Sequence, residues 1–119
     1  MPHISFIIPA YNEEVYVGRT IDSIHEAARA LPGASGLDYE VIVVDDASDD
    51  KTGQVAQDHG AIVHRVELRH IAAVRNAGAL IAKGAIFVFV DADTILPSQT
   101  LAGALKSLED ERVVGGGSG

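Results

Sequence analysis

The chain has 119 residues, of which 47% are hydrophobic, and this length and composition indicate one folded domain with a buried core. A formal net charge of -8 argues against binding to nucleic acid or to an anionic membrane surface, but it is compatible with an anionic ligand that arrives with a divalent cation. The absence of cysteine excludes disulfides, thiolate metal sites and a cysteine nucleophile.

No stretch of the sequence has the pattern of a targeting or membrane segment. The first apolar run, residues 4–8, is too short for a signal peptide, lacks a basic region before it and runs into Pro9. No apolar run approaches the length of a membrane span. We therefore expect a cytoplasmic domain with no membrane segment in this chain.

The first half of the chain predicts a strand, a helix and a second strand. Residues 4–8 are apolar and β-rich, and Pro9 ends them. Asn12 is a suitable N-cap for a helix over residues 13–30, where apolar residues recur at helical spacing up to a Pro-Gly pair. Residues 38–46 contain a Val/Ile run that is typical of a strand buried on both faces of a parallel sheet.

The middle of the chain predicts a short helix and a weaker strand. Ser48 or Asp49 can cap the helix, and His59-Gly60 ends it. Residues 61–66 then form the third strand.

The second half predicts another helix and the strand with the strongest pattern. Residues 70–83 are rich in Ala and Leu and form a helix, with Gly84 as the residue after its C-cap. Residues 85–90 form the most hydrophobic strand. Pro97-Ser98 opens a last helix, and residues 112–114 begin a fifth strand.

The alternation of strands and helices predicts an α/β fold. We expect a Rossmann-like, mostly parallel, right-handed sheet with helices on both faces. Residues 1–114 form the folded domain, and residues 115–119 are a flexible Gly-rich tail. A sheet edge left unpaired would favour self-association into a homo-oligomer.

Three clusters of polar residues follow predicted strands, at residues 9–14, 45–50 and 91–93. Ligands of open α/β sheets bind at the carboxyl ends of the strands. If the strands are parallel, all three clusters lie at one edge of the sheet, and this edge is the candidate site.

Asp91 and Asp93 are two residues apart, so both carboxylates point the same way if the strand continues. They could then bind Mg²⁺ or Mn²⁺, which prefer oxygen ligands and often keep substrate phosphates in their coordination shell. Such an ion would neutralise charge on a departing nucleoside diphosphate. The alternative is a solvated loop with acids that cap the next helix.

Asp45 and Asp46 could accept a hydrogen bond from a base N–H or a ribose hydroxyl, or they could be turn or capping acids. Because the following residues can already serve as caps, these two are not needed for that role.

Tyr11 could stack on a base or be an ordinary aromatic at the rim. Arg75 could reach a phosphate or be solvated. The five histidines show no metal-ligand spacing.

Four motifs of the chain together resemble the family 2 glycosyltransferases, in the order and at the spacing of that family. The motifs are Ile7-Ile8-Pro9-Ala10-Tyr11-Asn12-Glu13-Glu14, Val43-Val44-Asp45-Asp46-Ala47-Ser48-Asp49-Asp50, Arg75-Asn76-Ala77-Gly78 and Phe89-Val90-Asp91-Ala92-Asp93.

This resemblance implies the nucleotide-binding half of a GT-A fold, which binds a UDP-, GDP- or dTDP-sugar with Mg²⁺ or Mn²⁺ and inverts the anomeric centre. It implies nucleotide-sugar contacts from Pro9, Ala10, Tyr11 and Glu13 around the nucleoside, Asp46 at the base with Asp45 beside it, Arg75 near the diphosphate, and Asp91 near the ribose, with Ala92 as a further contact of the nucleotide-sugar. Asp91 and Asp93 would hold the metal.

The resemblance does not extend to the catalytic base, which in this family is an acid in the C-terminal half. Glu109 and Asp110 do not match it. We therefore expect the chain to bind a donor without transferring the sugar by itself, and neither the base nor the acceptor is identified.

Three other interpretations compete with this one, and the residues oppose the first two. A receiver domain has a similar acidic pocket but places its acid pair after the first strand, and here the pair follows the second. A dinucleotide-dependent oxidoreductase needs a glycine-rich loop after the first strand, and residues 9–14 contain no glycine. A non-catalytic donor-binding fragment would have the same motifs.

Overall fold

The computed structural model describes residues 3–30 and 38–97 of the chain. In these residues four strands alternate with three helices, as predicted. The elements are β1 (His3–Ala10), α1 (Val17–Ala30), β2 (Asp38–Asp46), α2 (Thr52–Asp58), β3 (Ile62–Val66), α3 (Ile71–Ile81) and β4 (Ile86–Phe89). The predicted last helix, the strand at residues 112–114 and the tail at residues 115–119 lie outside the described residues.

The four strands form one parallel sheet in the order β3-β2-β1-β4, which confirms the predicted class. β1 lies between β2 and β4, and its ladder to β2 runs from the pair His3 and Asp38 to the pair Ala10 and Asp45. Since β2 and β4 lie on opposite sides of β1, the strand order reverses there, and a crevice is expected at the carboxyl end of β1.

Helices cover both faces of the sheet. On one face, α1 and α2 pack against Ile4, Phe6 and Ile8 of β1. On the other face, α3 packs through Val74 against Ile7 of β1 and its neighbours on β2. Alternate residues of β1 therefore belong to different cores. The carboxyl-terminal two thirds of β2 are buried throughout, which confirms the prediction from its Val/Ile run. No helix among residues 3–30 and 38–97 is long and apolar enough to cross a membrane.

The first helix begins later than predicted. α1 starts at Val17 rather than Glu13, and Val15, which fits the apolar spacing, is 71% exposed. Asn12 does not cap the helix. Its backbone is left-handed, with φ of 52°, and its side-chain Oδ1 accepts a hydrogen bond from the N–H of Asp49 at 2.8 Å. A contact with a distant loop has therefore replaced the local cap.

The second helix ends where the sequence predicts. Gly60 has a φ of +90°, which favours glycine, and its N–H donates to the carbonyl of Gln57. The N–H of Ala61 donates to the carbonyl of Ala56, and the two bonds form a Schellman motif.

The start of the second helix differs from the prediction. Neither Ser48 nor Asp49 caps α2, which begins at Thr52. Its first N–H is satisfied by Asp50, whose Oδ1 accepts from the Thr52 N–H at 3.0 Å. Ser48 is used elsewhere, as described below.

The predicted end of the third helix is wrong by two residues. α3 ends at Ile81, and Ala82 has an extended backbone. Gly84 is not the residue after the C-cap. Its N–H donates to the hydroxyl of Ser5 at 2.8 Å and thereby joins the segment before β4 to the start of β1.

Among the described strands, the one with the most hydrophobic sequence lies at the edge of the sheet and is not the most buried one. In β4, Phe87 and Phe89 are 42% and 46% exposed, whereas Ile86 and Val88 pack against the core on the α1 side. The amino-acid composition of a strand does not by itself show whether the strand lies at the edge or in the centre of a sheet. Self-association through this edge stays a prediction.

Gly78 allows α3 to lie close to the sheet. A Cβ at this position would be 2.5 Å from Cγ2 of Ile7 and 2.9 Å from Cγ2 of Val44.

We expect Gly78→Ala to lower the free energy of unfolding by about 1–3 kcal/mol, because β-branched core residues must shift. Urea unfolding measures this. Asn76→Ala, an exposed change on the same helix, is the control, and an equal loss in both variants would contradict the proposed close packing.

Candidate functional site

The loops that follow β1 and β2 are joined by hydrogen bonds at the carboxyl edge of the sheet. Three consecutive amides of the first loop donate to side chains of the second. These bonds run from Asn12 to Ser48 Oγ at 2.9 Å, from Glu13 to Thr52 Oγ1 at 2.8 Å and from Glu14 to Asp50 Oδ2 at 3.2 Å. Ser48, which the sequence offered as a helix cap, therefore holds the neighbouring loop instead.

Asp45 stabilises the turn after β2. Its side chain is 2% exposed, its Oδ1 accepts from the N–H of Ser48 at 3.0 Å, and its Oδ2 pairs with Nη1 of Arg65 at 3.1 Å. Arg65 also donates to the carbonyl of Ser48. This is the turn-acid role that the sequence left open for Asp45. Its predicted contact with a nucleoside stays a prediction.

Asp46 lies beside Asp45 but holds a different segment. Its Oδ1 accepts from the N–H of Leu68 at 2.7 Å and from the N–H of Arg69 at 3.3 Å, and its Oδ2 accepts from the same Arg69 N–H at 3.1 Å. The carboxylate thus fixes the loop between β3 and α3 against the end of β2. Arg69 has a left-handed φ of 55° in that loop.

A cavity of about 310 Å³ lies at this edge of the sheet, at the lower end of the range for small-molecule sites. It includes four of the residues predicted from the sequence and four that were missed. The lining residues are Pro9, Ala10, Tyr11, Asp46, Arg69, His70, Ile71 and Val74. The missed residues follow β3, whose carboxyl end reaches the same edge because all strands are parallel, so the topology of the sheet could have indicated them.

Tyr11 and Arg69 form the rim of the cavity. The guanidinium carbon of Arg69 lies 5.5 Å from the centroid of the Tyr11 ring, which is a cation–π distance. A hydrogen bond with Tyr11, and then the charge interaction with it, raises the pKa of the Arg69 guanidinium above its ordinary value. The rim therefore combines an aromatic face with a permanent positive charge.

The segment after β4 is a turn held by α1. The N–H of Thr94 donates to the carbonyl of Asp91, so the strand does not continue through the two acids as their alternation would require. The hydroxyl of Thr20 donates to the buried carbonyl of Ala92 at 2.9 Å, and Ser23 Oγ accepts from the N–H of Leu96. The turn leaves Asp91 and Asp93 exposed and Ala92 buried.

Glu13 connects the loop after β1 with the turn after β4. Partial burial raises its pKa above the ordinary value, and the negative charges of Asp93 and Asp50 raise it further. The parallel pairing of β1 with β2 and with β4 brings the segments after these three strands to one edge of the sheet, which confirms the predicted convergence.

Asp91 and Asp93 present exposed carboxylate oxygens at this edge, and such oxygens suit Mg²⁺ or Mn²⁺. Within residues 3–30 and 38–97 there is no group of three or more His, Cys, Asp or Glu that could hold an ion. An ion held by Asp91 and Asp93 would therefore need its other ligands from bound phosphate oxygens and water.

Arg75 lies outside the cavity lining. Its guanidinium carbon is 5.9 Å from the centroid of Phe89, on the face of the sheet that α3 covers. Its predicted contact with a diphosphate stays a prediction.

Comparison with known proteins identifies the family. The model of glycosyl transferase family 2 matches residues 5–118. The chain belongs to this family. The receiver-domain and oxidoreductase interpretations are therefore wrong.

Curated relatives of this glycosyltransferase domain are longer proteins. A dolichyl-phosphate β-glucosyltransferase of Drosophila melanogaster is 36% identical over 120 residues, which cover 91% of this chain and 37% of that enzyme. A dolichol-phosphate mannosyltransferase of Pyrococcus furiosus is 29% identical over 90% of this chain and 30% of that enzyme. The chain matches only their N-terminal third.

Solved structures of the family share the fold. S. aureus TarS, crystallised in complex with UDP, matches 92% of this chain and 32% of its own with a TM-score of 0.72 at 29% identity. The mannosyltransferase PcManGT of Pyrobaculum calidifontis, solved with GDP-Man and Mn²⁺, matches 90% of this chain and 32% of its own with a TM-score of 0.74 at 31% identity. The domain is thus a Rossmann-like N-terminal half of the GT-A fold.

Thr20 tests how the turn after β4 is held. We expect Thr20→Val to lower the free energy of unfolding by about 1–3 kcal/mol, because it leaves the buried carbonyl of Ala92 without its donor. Urea unfolding measures the loss. Thr20→Ser keeps the hydroxyl and is the matched control. If Thr20→Ser and Thr20→Val lower the free energy of unfolding equally, the hydrogen bond does not hold the turn.

The raised pKa of Glu13 predicts that the stability of the domain depends on pH. The pKa of Glu13 is higher in the folded chain than in the unfolded chain. The free energy of unfolding is therefore highest when Glu13 is protonated, below its ordinary pKa, and it falls as the pH rises through the folded-state pKa. We expect Glu13→Gln to be more stable than the parent at neutral pH and to converge with it in acid. Urea unfolding between about pH 4 and pH 8 checks this. Glu26→Gln, an exposed change on α1, controls for net charge, and a gap that persists in acid would contradict the prediction.

Proposed function

We propose that this domain binds the nucleotide-sugar donor of a metal-dependent, inverting glycosyl transfer. The observation that carries the proposal is the cavity at the carboxyl edge of the sheet, where Tyr11, Asp46 and Arg69 meet. Three of the four motifs that resemble the family, those that end β1, β2 and β4, lie at this edge. Relatives solved with UDP and with GDP-Man and Mn²⁺ support a nucleoside diphosphate as the ligand class.

The nucleoside occupies the cavity in this proposal. The ring of Tyr11 offers a face for base stacking, and Pro9 and Ala10 line the wall beside it. Asp46, which is fixed by the Leu68 and Arg69 amides, accepts a hydrogen bond from the base. Because both loops are held by internal hydrogen bonds, little ordering cost remains when the ligand binds.

The diphosphate lies towards the turn after β4. Asp91 and Asp93 would hold Mg²⁺ or Mn²⁺ there, with Asp91 also near the ribose, and the cation would neutralise charge on the leaving diphosphate. Glu13 faces Asp93 and adds to the negative field that attracts the cation. Arg75 lies over Phe89, the last residue of β4, and a change of its side-chain rotamer would bring it towards a phosphate at the following turn.

Transfer of the sugar requires more than these residues. The relatives that match this chain carry roughly two thirds of their length beyond the matched region, and we place the acceptor site and the catalytic base there. The described acids at the carboxyl edge have binding or structural roles in this proposal. By itself the domain binds the donor and leaves it intact.

Metal-dependent nucleotide binding tests the proposal. UDP, GDP or dTDP with Mn²⁺ should raise the melting temperature of the chain, with a stabilisation of about 2.7 kcal/mol at a ligand concentration of 100 times Kd. Asp93→Ala should abolish the part of the shift that depends on Mn²⁺, because it removes a metal carboxylate. Differential scanning calorimetry with and without Mn²⁺ measures both.

Asp58→Ala is the matched control, because Asp58 lies exposed on α2 and its carboxylate contacts only Gln54 among the hydrogen-bonded residues described. The proposal fails if no nucleoside diphosphate gives a shift that depends on Mn²⁺. It also fails if Asp58→Ala reduces the shift as much as Asp93→Ala does.

A further inference from the structure

We infer that Arg65 is a positioning residue for nucleotide binding, because it holds the turn after β2 in the conformation on which the position of Tyr11 depends. The inference rests on the proposed function and extends it to a residue that belongs to none of the four motifs. The side chain of Arg65 is 61% exposed and does not line the cavity, so it acts through its neighbours and not by contact with the ligand.

The register of the sheet places Arg65 directly beside Asp45. The two residues are partners in the parallel ladder of β2 and β3. Nη1 of Arg65 donates to Oδ2 of Asp45 at 3.1 Å, and Nη2 donates to the carbonyl oxygen of Ser48 at 3.2 Å. One guanidinium can make both bonds, since its N–H donors form a rigid planar fork. Arg65 therefore joins the end of β2 to the turn that follows it.

Gly53 leaves space for this arrangement on the other side of the carboxylate. A Cβ at Gly53 would lie 3.0 Å from Oδ2 of Asp45, which is the oxygen that Arg65 contacts. The carboxylate is 2% exposed and lies between the first turn of α2 and the guanidinium. Its position is therefore closely confined.

Ser48 connects the turn to the loop after β1. Ser48 is buried, and its N–H donates to Oδ1 of Asp45 at 3.0 Å while its carbonyl accepts from Arg65. Its Oγ accepts from the N–H of Asn12 at 2.9 Å. Because Tyr11 precedes Asn12 in the chain, the position of Ser48 influences where Tyr11 lies at the rim of the cavity.

The turn between Asp45 and Ser48 contains a strained residue. Ala47 has a φ of 53°, in the left-handed region that residues with a Cβ rarely adopt. Such a conformation persists only where the surrounding contacts over-determine it. Here the turn is held by the two bonds of Arg65, by the bond from the Ser48 N–H to Asp45 and by the bond from the Ala47 N–H to the Asp45 carbonyl. Loss of Arg65 removes two of these bonds, so that Ala47 would relax and displace Ser48.

Arg65→Met tests whether nucleotide binding depends on this residue, because Met fills similar space and cannot donate a hydrogen bond. Isothermal titration calorimetry of the full chain with Mn²⁺ and UDP, GDP or dTDP is performed at a temperature at which parent and variant are both folded. The affinity should fall by roughly 5- to 30-fold, the factor that corresponds to restoring one left-handed residue when the ligand binds. Arg29→Met, an exposed change on the last turn of α1, loses the same charge and should bind as the parent does.

Hydrogen exchange without a ligand tests the connection from Arg65 to the loop of Tyr11. Arg65→Met should raise the exchange rate of the Asn12 amide, whose acceptor is Ser48 Oγ. The Val90 amide, which donates to the carbonyl of Ile7, is the reference and should exchange as it does in the parent. NMR measures both rates. A general loss of stability would raise the two rates together, whereas a loss of positioning raises only the first.

Ala47→Gly in the Arg65→Met background separates positioning from direct contact with the ligand. Glycine adopts a positive φ without strain, so the turn can keep its shape with fewer bonds. The double variant should bind the nucleotide roughly threefold or more tightly than Arg65→Met alone. A direct contact between Arg65 and the ligand would not be restored by this change.

The outcomes that would overturn the inference differ from those that would overturn the proposed function. An Arg65→Met chain that binds as tightly as the parent, or whose Asn12 amide exchanges no faster, would contradict the role of Arg65 and leave the proposed function standing. A loss of affinity that Ala47→Gly does not reduce would contradict it as well. If no nucleoside diphosphate binds the parent, the proposed function fails and the inference fails with it. If Arg65→Met does not fold, Arg65→Lys, which keeps a cation beside Asp45 but lacks the fork, decides by the same measurements.

Discussion

The hydrogen bonds between the loops that follow β1 and β2 are the constraint on which the candidate site depends. Three successive amides, those of Asn12, Glu13 and Glu14, donate to side chains of the neighbouring loop. Each such bond contributes modestly by itself. Together they set the positions of Tyr11, on the rim of the cavity, and of Glu13, which faces the turn after β4. Both loops are therefore ordered before any ligand arrives.

Two further contacts place the remaining walls relative to these loops. Asp46 reaches from the end of β2 to the amides before α3 and so positions Arg69 beside Tyr11. Thr20, on the opposite face of the sheet, holds the acidic turn through the carbonyl of Ala92. The candidate site thus uses polar groups that are buried or partly buried, where an unsatisfied partner is costly. Structural and binding roles overlap in the same side chains.

The predictions that were correct depend on periodicity and on conformation within one segment. The Val/Ile run of β2 required burial on both faces, and the structure shows it. Gly60 supplies the positive φ that ends α2. The errors came from competition by distant groups. Asn12 is a good local cap, but a partner in the next loop takes its side chain, and α1 begins only at Val17.

By itself, the sequence determined the alternation of elements, the parallel sheet and the family, because each follows from the order of apolar runs and short motifs along the chain. Only the tertiary structure decided that β4 lies at the edge of the sheet formed by the described strands, with Phe89 half exposed, that Asp45 pairs with Arg65, and that Arg69 lines the cavity. These outcomes depend on which strands become neighbours. A residue type indicates what a side chain can do, whereas the partner it finds across the sheet sets what remains free for a ligand.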